Sequence, residues 1–463
     1  MQLPKIIYTI SKQLIQQNAK AIVVGGSVRD HFLKLDIKDY DVEVYGLEKI
    51  EELEDILAQY GSVNLVGKSF GVLKFQYDGE EYDFSFPRTE QKTGAGHRGF
   101  DVFVDGEMSF KEASKRRDFT LNAMGYDVAE QKFLDPYAGL DDMKKGLLRH
   151  IDDETFVEDP LRVYRAVQFC ARFEYSLSEE SFKLCQTMVE EGMLEELAQE
   201  RIYIEFQKLL LKSPKPSVGF ELMRELDMLR YFPELKALIA VPQSPIWHPE
   251  GDVWIHTMMC VDEMVGLLGN DEKENLKYMF AILCHDLGKA THTSIEEDGR
   301  IRAIGHEEAG IEPTKSFLYR LTNEHDFIAS ILPLVEHHLK PSQFYRGKAK
   351  DKAFRKLATK VNIEELVVVA KADFLGRTTE ESLLGIYHAG VWMLERAKRL
   401  NVKRKPLSHL IQGRDLIALG LKPSVEFKKI LEKLYDLQLD GKISEKEDAL
   451  EYIKRKYVKD THV

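Results

Sequence analysis

Two sets of side chains in this 463-residue chain have the types and spacing for chemistry on phosphates. The first is Lys38-Asp39-Tyr40-Asp41-Val42-Glu43-Val44-Tyr45-Gly46. Side chains alternate along a strand, so Asp39, Asp41 and Glu43 are expected on one face and Tyr40, Val42 and Val44 on the other. Carboxylates that close repel one another unless a cation lies between them, and oxygen ligands beside a phosphate favour Mg²⁺. Asp83, in Glu81-Tyr82-Asp83-Phe84-Ser85-Phe86-Pro87-Arg88, offers a further carboxylate from a neighbouring strand. Two metals held by such a set can clamp the attacking and leaving oxygens of an in-line displacement. The plain alternative is an exposed acidic edge strand, and spacing alone leaves open whether Glu43 is a ligand. Just upstream, Ala21-Ile-Val-Val-Gly25-Gly26-Ser-Val-Arg29-Asp30 reads as strand, glycine turn and helix. Gly25 and Gly26 let backbone N–H groups approach a triphosphate, and Arg29 adds a charged fork.

The second set is His285-Asp286-Leu287-Gly288-Lys289, flanked by His256, His306, the pair His337-His338, and Asp373. Imidazoles and carboxylates on successive helices suit a divalent transition metal such as Ni²⁺, Mn²⁺ or Fe²⁺. Its plain alternative is a fold that keeps these residues for packing.

These residues need elements to hold them. Short β-rich runs at Ala21–Val24, Asp41–Tyr45, Val72–Tyr77 and Tyr82–Phe86 occupy the first part, with Asp78-Gly79 as a hairpin turn. After residue 145 the periodicity is helical, as in Leu161–Phe173 and Glu200–Leu211. Pro242, Pro245 and Pro249 mark a second boundary, and Lys403-Arg404-Lys405-Pro406 a third. The expected fold class is α+β: a head with a mixed sheet (1–145), an all-α neck and body (146–245), a helical domain carrying the histidines (246–390) and a helical tail (391–463).

Composition bounds the classes. Lys plus Arg is 65 and Asp plus Glu is 77, a formal charge of −12, with 44% hydrophobic and 31% charged residues. These globular values exclude collagen-like, coiled-coil and disordered architectures. Cys170, Cys185, Cys260 and Cys284 show no CxxC spacing, which argues against a zinc ribbon or disulfide framework. No apolar run approaches the roughly 20 residues that span a bilayer, and Met1–Lys12 lacks a signal-peptide pattern, so a cytoplasmic protein without a membrane partner is expected. The acidic balance disfavours indiscriminate nucleic-acid binding but permits a local basic groove.

Gly25-Gly26-x-Val28-Arg29-Asp30 followed by Asp39-x-Asp41 resembles the nucleotidyltransferase head, polymerase-beta-like in fold, of CCA-adding enzymes and bacterial poly(A) polymerases. Arg116-Arg117-Asp118-Phe119-Thr120-Leu121-Asn122-Ala123-Met124, Asp135-Pro-Tyr-Ala-Gly139-Leu-Asp141 to Leu148-Arg149, and Glu158-Asp159-Pro160-Leu161-Arg162 follow in that family's order. Glu43 departs from it, an apolar residue being more usual there. The histidine block resembles the HD phosphohydrolase signature, and head, Glu158–Arg162 helix, Trp247-His248-Pro249 and HD block together resemble the bacterial multifunctional CCA group. Ile411-Gln-Gly413-Arg414-Asp415-Leu416 adds a tail element of the same group.

The resemblance implies addition of CCA to tRNA from CTP and ATP, with pyrophosphate released. It makes Asp39, Asp41 and Asp83 catalytic, with Mg²⁺ on Asp39 and Asp41. It makes Gly25, Gly26, Arg29, Arg117, Asp118, Asp159, Arg162 and Arg165 nucleotide contacts. Asp159 accepting from an exocyclic amine and Arg162 donating to a ring nitrogen fit cytosine and adenine, and mismatch uracil and guanine. The plain alternative makes Asp159 a helix N-cap with Pro160 at N1, and pairs Arg162 with Glu158. In the HD block the resemblance implies His256, His285, Asp286 and Asp373 as ligands, with His306 and His338 on the phosphate or a second metal and His337 as the alternative to His338. It implies 2′,3′-cyclic phosphodiesterase, 2′-nucleotidase and phosphatase side activities. A poly(A) polymerase, an enzyme restricted to A or C addition, and an HD hydrolase with an RNA-binding head are the rival readings.

An acceptor stem is gripped mainly through its backbone, for which Lys398-Arg399, Lys403-Arg404-Lys405, Lys454-Arg455-Lys456 and Arg201–Lys212 are candidates. Thr89–Gly106, rich in glycine and charge, is the expected loop for switching from C to A. A monomer or a homodimer is expected.

Overall fold

The computed structural model describes residues 1–37, 39–66, 72–92, 100–104 and 107–458. Contacts cluster into two compact units, Met1–Met228 and Leu229–Val463.

The first unit opens with α1 (Lys5–Gln16), β1 (Lys20–Val24), α2 (Gly26–Phe32), β2 (Tyr40–Tyr45) and α3 (Ile50–Leu57). Then come β3 (Ser62–Val66), β4 (Val72–Tyr77), β5 (Glu80–Ser85), β6 (Arg88–Lys92) and β7 (Phe100–Val104). After α4 (Phe110–Lys115), the short strands β8 (Gly125–Asp127) and β9 (Lys132–Leu134) finish a seven-stranded sheet of order β3-β4-β5-β2-β1-β8-β9. Only β2 and β5 run parallel in it; the other pairs are antiparallel, so the sheet is mixed.

Alternation along β1 and β2 sends Ala21, Val23, Val42 and Val44 into a core shared with Ile7, Ile10 and Leu14 of α1 and Leu53 and Ile56 of α3. Ile22, Val24 and Tyr45 pack on Phe110 and Ala113 of α4. Both faces of β2 are therefore covered over its second half. That is why Glu43, expected on an open acidic face, is only 1% exposed.

The β4–β5 hairpin turns at Asp78 and Gly79, both with positive φ. Of Thr89–Gly106, Thr89–Lys92 and Phe100–Val104 belong to the antiparallel ribbon β6–β7. Residues 93–99 and 105–106 of that expected loop lie outside the described residues, as does Lys38.

Helices follow: α5 (Gly139–Lys145), α6 (Asp153–Val157), α7 (Leu161–Phe173), α8 (Glu179–Glu190), α9 (Gln199–Lys212) and α10 (Pro216–Glu225). Helix α7 buries Val163, Tyr164, Val167 and Cys170, and packs against α9 and α10.

Among the described residues the only strands of the second unit are Ser294–Ile295 and Ile301–Arg302, which pair as a short antiparallel ribbon. Its helices are α11 (Pro233–Lys236), α12 (Val253–Val265), α13 (Glu272–Cys284), α14 (Lys289–His292), α15 (His306–Ala309), α16 (Ile311–Leu321) and α17 (His325–His337). They continue with α18 (Lys340–Arg346), α19 (Asp351–Ala358), α20 (Ile363–Leu375), α21 (Glu380–Leu383) and α22 (His388–Arg399). Helix α13 is buried almost all round, with α12, α17 and α20 against it. The tail helices α23 (Gly413–Ala418), α24 (Val425–Leu439) and α25 (Lys446–Tyr457) close on a small core of Ile411, Leu416, Ile430, Leu434 and Ile453. Among the described residues no helix is long and apolar enough to cross a membrane. All four cysteines are free and buried.

Candidate active sites

Sheet register brings the head's acidic residues together. Asp41 on β2 stands opposite Asp83 on the parallel strand β5, and opposite Val24, the last residue of β1. Gly25 thus falls beside Asp41. A Cβ on Gly25 would meet Arg117 Nη1 at 3.0 Å and Asp41 Oδ2 at 3.5 Å, and the glycine holds φ +72°. The site therefore needs this residue bare. Asp39 and Asp41 are exposed and Asp83 is half-buried. Desolvation pushes the Asp41 carboxyl up; Arg117 opposes this, and the charges of Asp83, Asp39 and Glu43 add to it. Asp83 is also raised, by desolvation first, with Lys74 opposing. Asp41 and Asp83, made less acidic by burial first and then by neighbouring carboxylates, fit a bound divalent cation, which removes the repulsion.

Glu43 behaves differently from its neighbours. It accepts hydrogen bonds from Arg117 Nη2 (2.9 Å), Arg116 Nη2 (3.2 Å) and Tyr45 Oη (2.8 Å). Burial works against its charge, but Arg117 and Arg116 outweigh it and hold the carboxyl below the usual range. The sequence left its role open; the structure gives it two arginines and a tyrosine to hold.

The cavity beside these carboxylates has a volume of about 500 Å³ and is lined by Gly25, Gly26, Arg29, Asp41, Arg117, Asp118, Asp159, Arg162 and Arg165. Arg29 is buried, donates to Asp30 (2.8 Å) and Asn122 Oδ1 (2.8 Å), and stacks near Phe169 and Phe173 of α7. Asp118 accepts from Asn122 Nδ2 (2.9 Å) and from Arg165 Nε (2.7 Å). Burial would raise its pKa; Arg165 leads the contacts that bring it down instead.

Helix α7 begins at Leu161 with Pro160 as its N-cap, one residue later than Asp159-Pro160 suggested. Asp159 still caps locally, accepting from the Leu161 amide (3.2 Å). Its other oxygen takes Arg201 Nη2 of α9 at 2.9 Å. Arg162 aims its guanidinium at backbone oxygens. It donates to the carbonyls of Thr155 (2.6 Å) and Arg116 (2.5 Å), which lock its guanidinium in place. Arg201, Asn122 and Lys208 also line the cavity and were not singled out from the sequence. Asn122 stood in the motif Arg116–Met124, and Arg201 opened a basic helical run, but nothing in either string tied them to Arg29 or Asp159. Of the other basic clusters, Lys403 and Arg404 both pair with Glu364.

In the second unit, Asp286 is the hub. Its Oδ2 lies 3.1 Å from His285 Nε2, 3.8 Å from His256 Nε2 and 2.6 Å from Lys289 Nζ. Its Oδ1 lies 3.3 Å from His306 Nε2 and 3.8 Å from His338 Nε2. His285, His306 and His338 each place Nδ1 on a carbonyl three residues upstream: Ile282 (2.7 Å), Ala303 (2.5 Å) and Val335 (2.7 Å). Those contacts fix one tautomer, with Nε2 as the lone-pair nitrogen facing Asp286. His285 Nε2, His306 Nε2, His338 Nε2 and Asp286 Oδ1 are buried without a hydrogen-bond partner, while Asp286 Oδ2 has only the Lys289 ammonium at 2.6 Å beside the histidines. Polar atoms so placed are costly unless something else satisfies them, and a metal ion fits.

Asp373 on α20 accepts from Arg377 (2.7 Å) and faces His256 Nε2 at 3.1 Å. The other nitrogen of His256 meets Glu250 at 2.8 Å. Glu250 also holds His248 (2.9 Å) and accepts from the Thr378 amide (3.1 Å). It was not foreseen, although Trp247-His248-Pro249-Glu250 lies beside His256. His337 turns toward Glu336, so His338 is the one of the pair that faces Asp286. A cavity of about 640 Å³ opens onto Asp286, His306, His338 and Asp373.

Comparison with known proteins follows this division. Residues 21–149 match the poly A polymerase head domain, 174–239 the probable RNA and SrmB-binding site of polymerase A, and 253–377 the HD domain. The multifunctional CCA protein of Pasteurella multocida (strain Pm70) is 35% identical over 395 residues, 83% of this chain and 90% of that protein. The chain belongs to the multifunctional CCA protein family. A Neisseria meningitidis member of the family (strain MC58) is 39% identical over 301 residues, 65% of this chain and 67% of its own. The Bacillus stearothermophilus CCA-adding enzyme in complex with CTP shares the fold, with a TM-score of 0.69 at 20% identity over 98% of both chains. The Thermotoga maritima CCA-adding enzyme complexed with tRNA does so with a TM-score of 0.61 at 21% identity, over 98% of this chain and 96% of its own.

Proposed function

We propose that this member of the family adds C, C and A in turn to the 3′ end of tRNA from CTP and ATP, and that its second unit hydrolyses phosphoesters at an HD metal centre. One observation carries the first part. Asp41, in register with Asp83 and beside the bare backbone of Gly25, opens onto a cavity that also presents Asp159 and Arg162.

In the transfer, the 3′-hydroxyl oxygen of tRNA gives its proton to solvent water and bonds to the α-phosphorus. The bond from that phosphorus to the bridging oxygen breaks, and pyrophosphate leaves. Divalent ions on Asp39 and Asp41 with Asp83, Mg²⁺ by the chemistry of the donors, supply charge neutralisation and a more acidic hydroxyl. Arg117, held by Glu43, faces the phosphates beside Gly25 and Gly26. Arg29, Asp118 and Arg165 shape the cavity around the nucleotide. Arg162, fixed by two carbonyls, donates to the unprotonated ring nitrogen of cytosine or adenine, and Asp159, steadied by Arg201, accepts from the exocyclic amine. Uracil and guanine present the reverse pattern. Leaving buried polar groups mismatched in this way can discriminate by about 10⁴–10⁵.

In the second unit, His256, His285, Asp286 and Asp373 form one ligand set, and Asp286, His306 and His338 a second that shares Asp286. The nitrogen donors favour Ni²⁺, Mn²⁺ or Fe²⁺ over Mg²⁺. Held by these residues, such an ion would supply an activated water for hydrolysis of a phosphoester. Lys289 and Arg377 hold Asp286 and Asp373 in place. The division of labour is head (1–145), neck and body (146–245), HD domain (246–390) and tail (391–463).

Full-length protein given CCA-less tRNA with CTP and ATP should extend it by three nucleotides and stop. Long A tracts would identify a poly(A) polymerase. One nucleotide type only would identify a restricted enzyme, and hydrolysis without incorporation would leave the head as an RNA-binding module.

A further inference from the structure

A second cavity of about 700 Å³ adjoins the HD cavity, and neither the nucleotide transfer nor the hydrolysis proposed for this protein occupies it. Ile246, Trp247, Arg346 and Arg377 line both cavities. Arg377 is also the residue that holds the carboxylate of Asp373. The second cavity therefore begins one side chain away from the proposed metal ligands. Its walls are aromatic: Trp247, Tyr345, Phe374 and Tyr387, with the last two rings stacked at 5.0 Å. Ser342, Thr378, Thr379, Glu380 and Glu381 add hydrogen-bonding groups.

Two features point to a flat ligand. Trp247 is 49% exposed although such a ring is normally well covered. The Arg346 guanidinium lies 4.6 Å from its centroid, and among the described residues no carboxylate lies within ion-pairing distance of that arginine. An open indole with an unpaired cation on it is a platform for a π-system that carries negative charge. A phosphate alone needs neither the aromatic walls nor the volume, which lies in the range of small-ligand pockets.

We propose that this cavity is a base subsite of the HD centre: a nucleotide whose phosphoester lies at Asp286 and Asp373 stacks its base on Trp247. The ligand class is a nucleoside phosphate, free or as the terminal residue of an RNA strand. The inference rests on the HD-hydrolase reading, and adds that the site recognises the base as well as the phosphate.

All three tryptophans of the chain, Trp247, Trp254 and Trp392, belong to the second unit, so tryptophan fluorescence is insensitive to direct stacking in the head. Adenosine 2′-monophosphate should quench the emission of metal-free full-length protein, glycerol 2-phosphate should not, and Trp247→Phe should abolish the quench. With transition metal supplied, Trp247→Ala should lower kcat/KM for adenosine 2′-monophosphate by about 5- to 150-fold more than for glycerol 2-phosphate, while Trp247→Phe stays close to wild type. An oligonucleotide ending in a 2′-phosphate, tested alongside, separates the two sources: a larger loss on it places an RNA end in the cavity, and a larger loss on the mononucleotide places a free nucleotide there. Equal losses on adenosine and glycerol phosphates, or a quench that survives Trp247→Phe, overturn the subsite. A wild-type protein that hydrolyses none of these substrates overturns the HD reading instead, and the metal-free quench still decides the subsite.

Discussion

The two sites solve the same electrostatic problem in opposite ways. In the head, Asp39 and Asp41 stand exposed, and the buried carboxylate next along β2, Glu43, is neutralised by Arg116 and Arg117. In the second unit the acidic hub Asp286 is 1% exposed and faced by the Nε2 atoms of His285, His306 and His338, which have no hydrogen-bond partner. An open carboxylate pair suits an ion that arrives with each triphosphate and leaves with pyrophosphate. A buried ring of nitrogen donors suits an ion that stays. With both sites loaded as proposed, position in the fold, more than ligand count, would separate a travelling metal from a resident one.

The sharpest way to break that contrast is to remove each hub. Asp41→Ala should lower incorporation into CCA-less tRNA by about 10³-fold or more, the several kcal/mol that metal-assisted charge stabilisation supplies. Hydrolysis of a phosphoester by the same variant should stay close to wild type. Asp286→Ala should do the reverse. Parallel loss of both activities in either variant would show that the sites are not separate.

Next in size is the built-in compensation of the head. Glu43→Leu leaves Arg116 and Arg117 without their buried partner and should cost about 3 kcal/mol of stability in urea unfolding. Because the Glu43 carboxyl is held below its ordinary range, its contribution is complete above the unfolded-state pKa and disappears as pH falls through the lowered folded value. The gap between wild type and variant should therefore close on acidification, and a gap that widens would reverse the assignment.

Arg201→Ala tests the proposed reading of the base by Asp159 and Arg162. Asp159 would lose its fixed orientation, and discrimination of CTP and ATP against UTP and GTP should fall about tenfold, the worth of one charge-assisted hydrogen bond. Nucleotide competition assays measure it, and an unchanged ratio would leave Asp159 positioned by α7 alone.

The mildest test concerns metal retention. His256 is raised to about 10; burial opposes this, while Cys260, Asp373 and Glu250 favour the protonated ring. Ligation needs the Nε2 proton gone, so transition-metal affinity should rise about tenfold per pH unit through neutrality. After chelation and buffer exchange, Mg²⁺ should restore incorporation at once, whereas hydrolysis should wait for a transition metal. Metal analysis of the dialysed protein at several pH values follows this directly.

Much of the fold was legible because it is local. Strands β1, β2 and β4 and helices α7 and α9 follow from alternation and helical periodicity within a residue or so of their observed ends. Asp41 at the open start of β2, with Asp83 on a neighbouring strand, was legible because both lie in runs of strand alternation. The burial of Glu43 was not, since it depends on α4, some 65 residues further on, covering that face of β2. Glu250 escaped for the same reason: a lone glutamate after a proline has no periodicity to betray that it will meet His248, His256 and Thr378.

The sequence by itself determined the chemical inventory: which carboxylates, imidazoles and guanidiniums occur, in what order, and on which kind of element. Only the tertiary structure decided how they combine. The β2–β5 register set Asp41 against Asp83, the carbonyls of Ile282, Ala303 and Val335 chose the histidine tautomers, and Arg201 came to Asp159 from another helix. Backbone periodicity is a property of neighbouring residues, whereas charge compensation and cavity shape arise where distant segments meet.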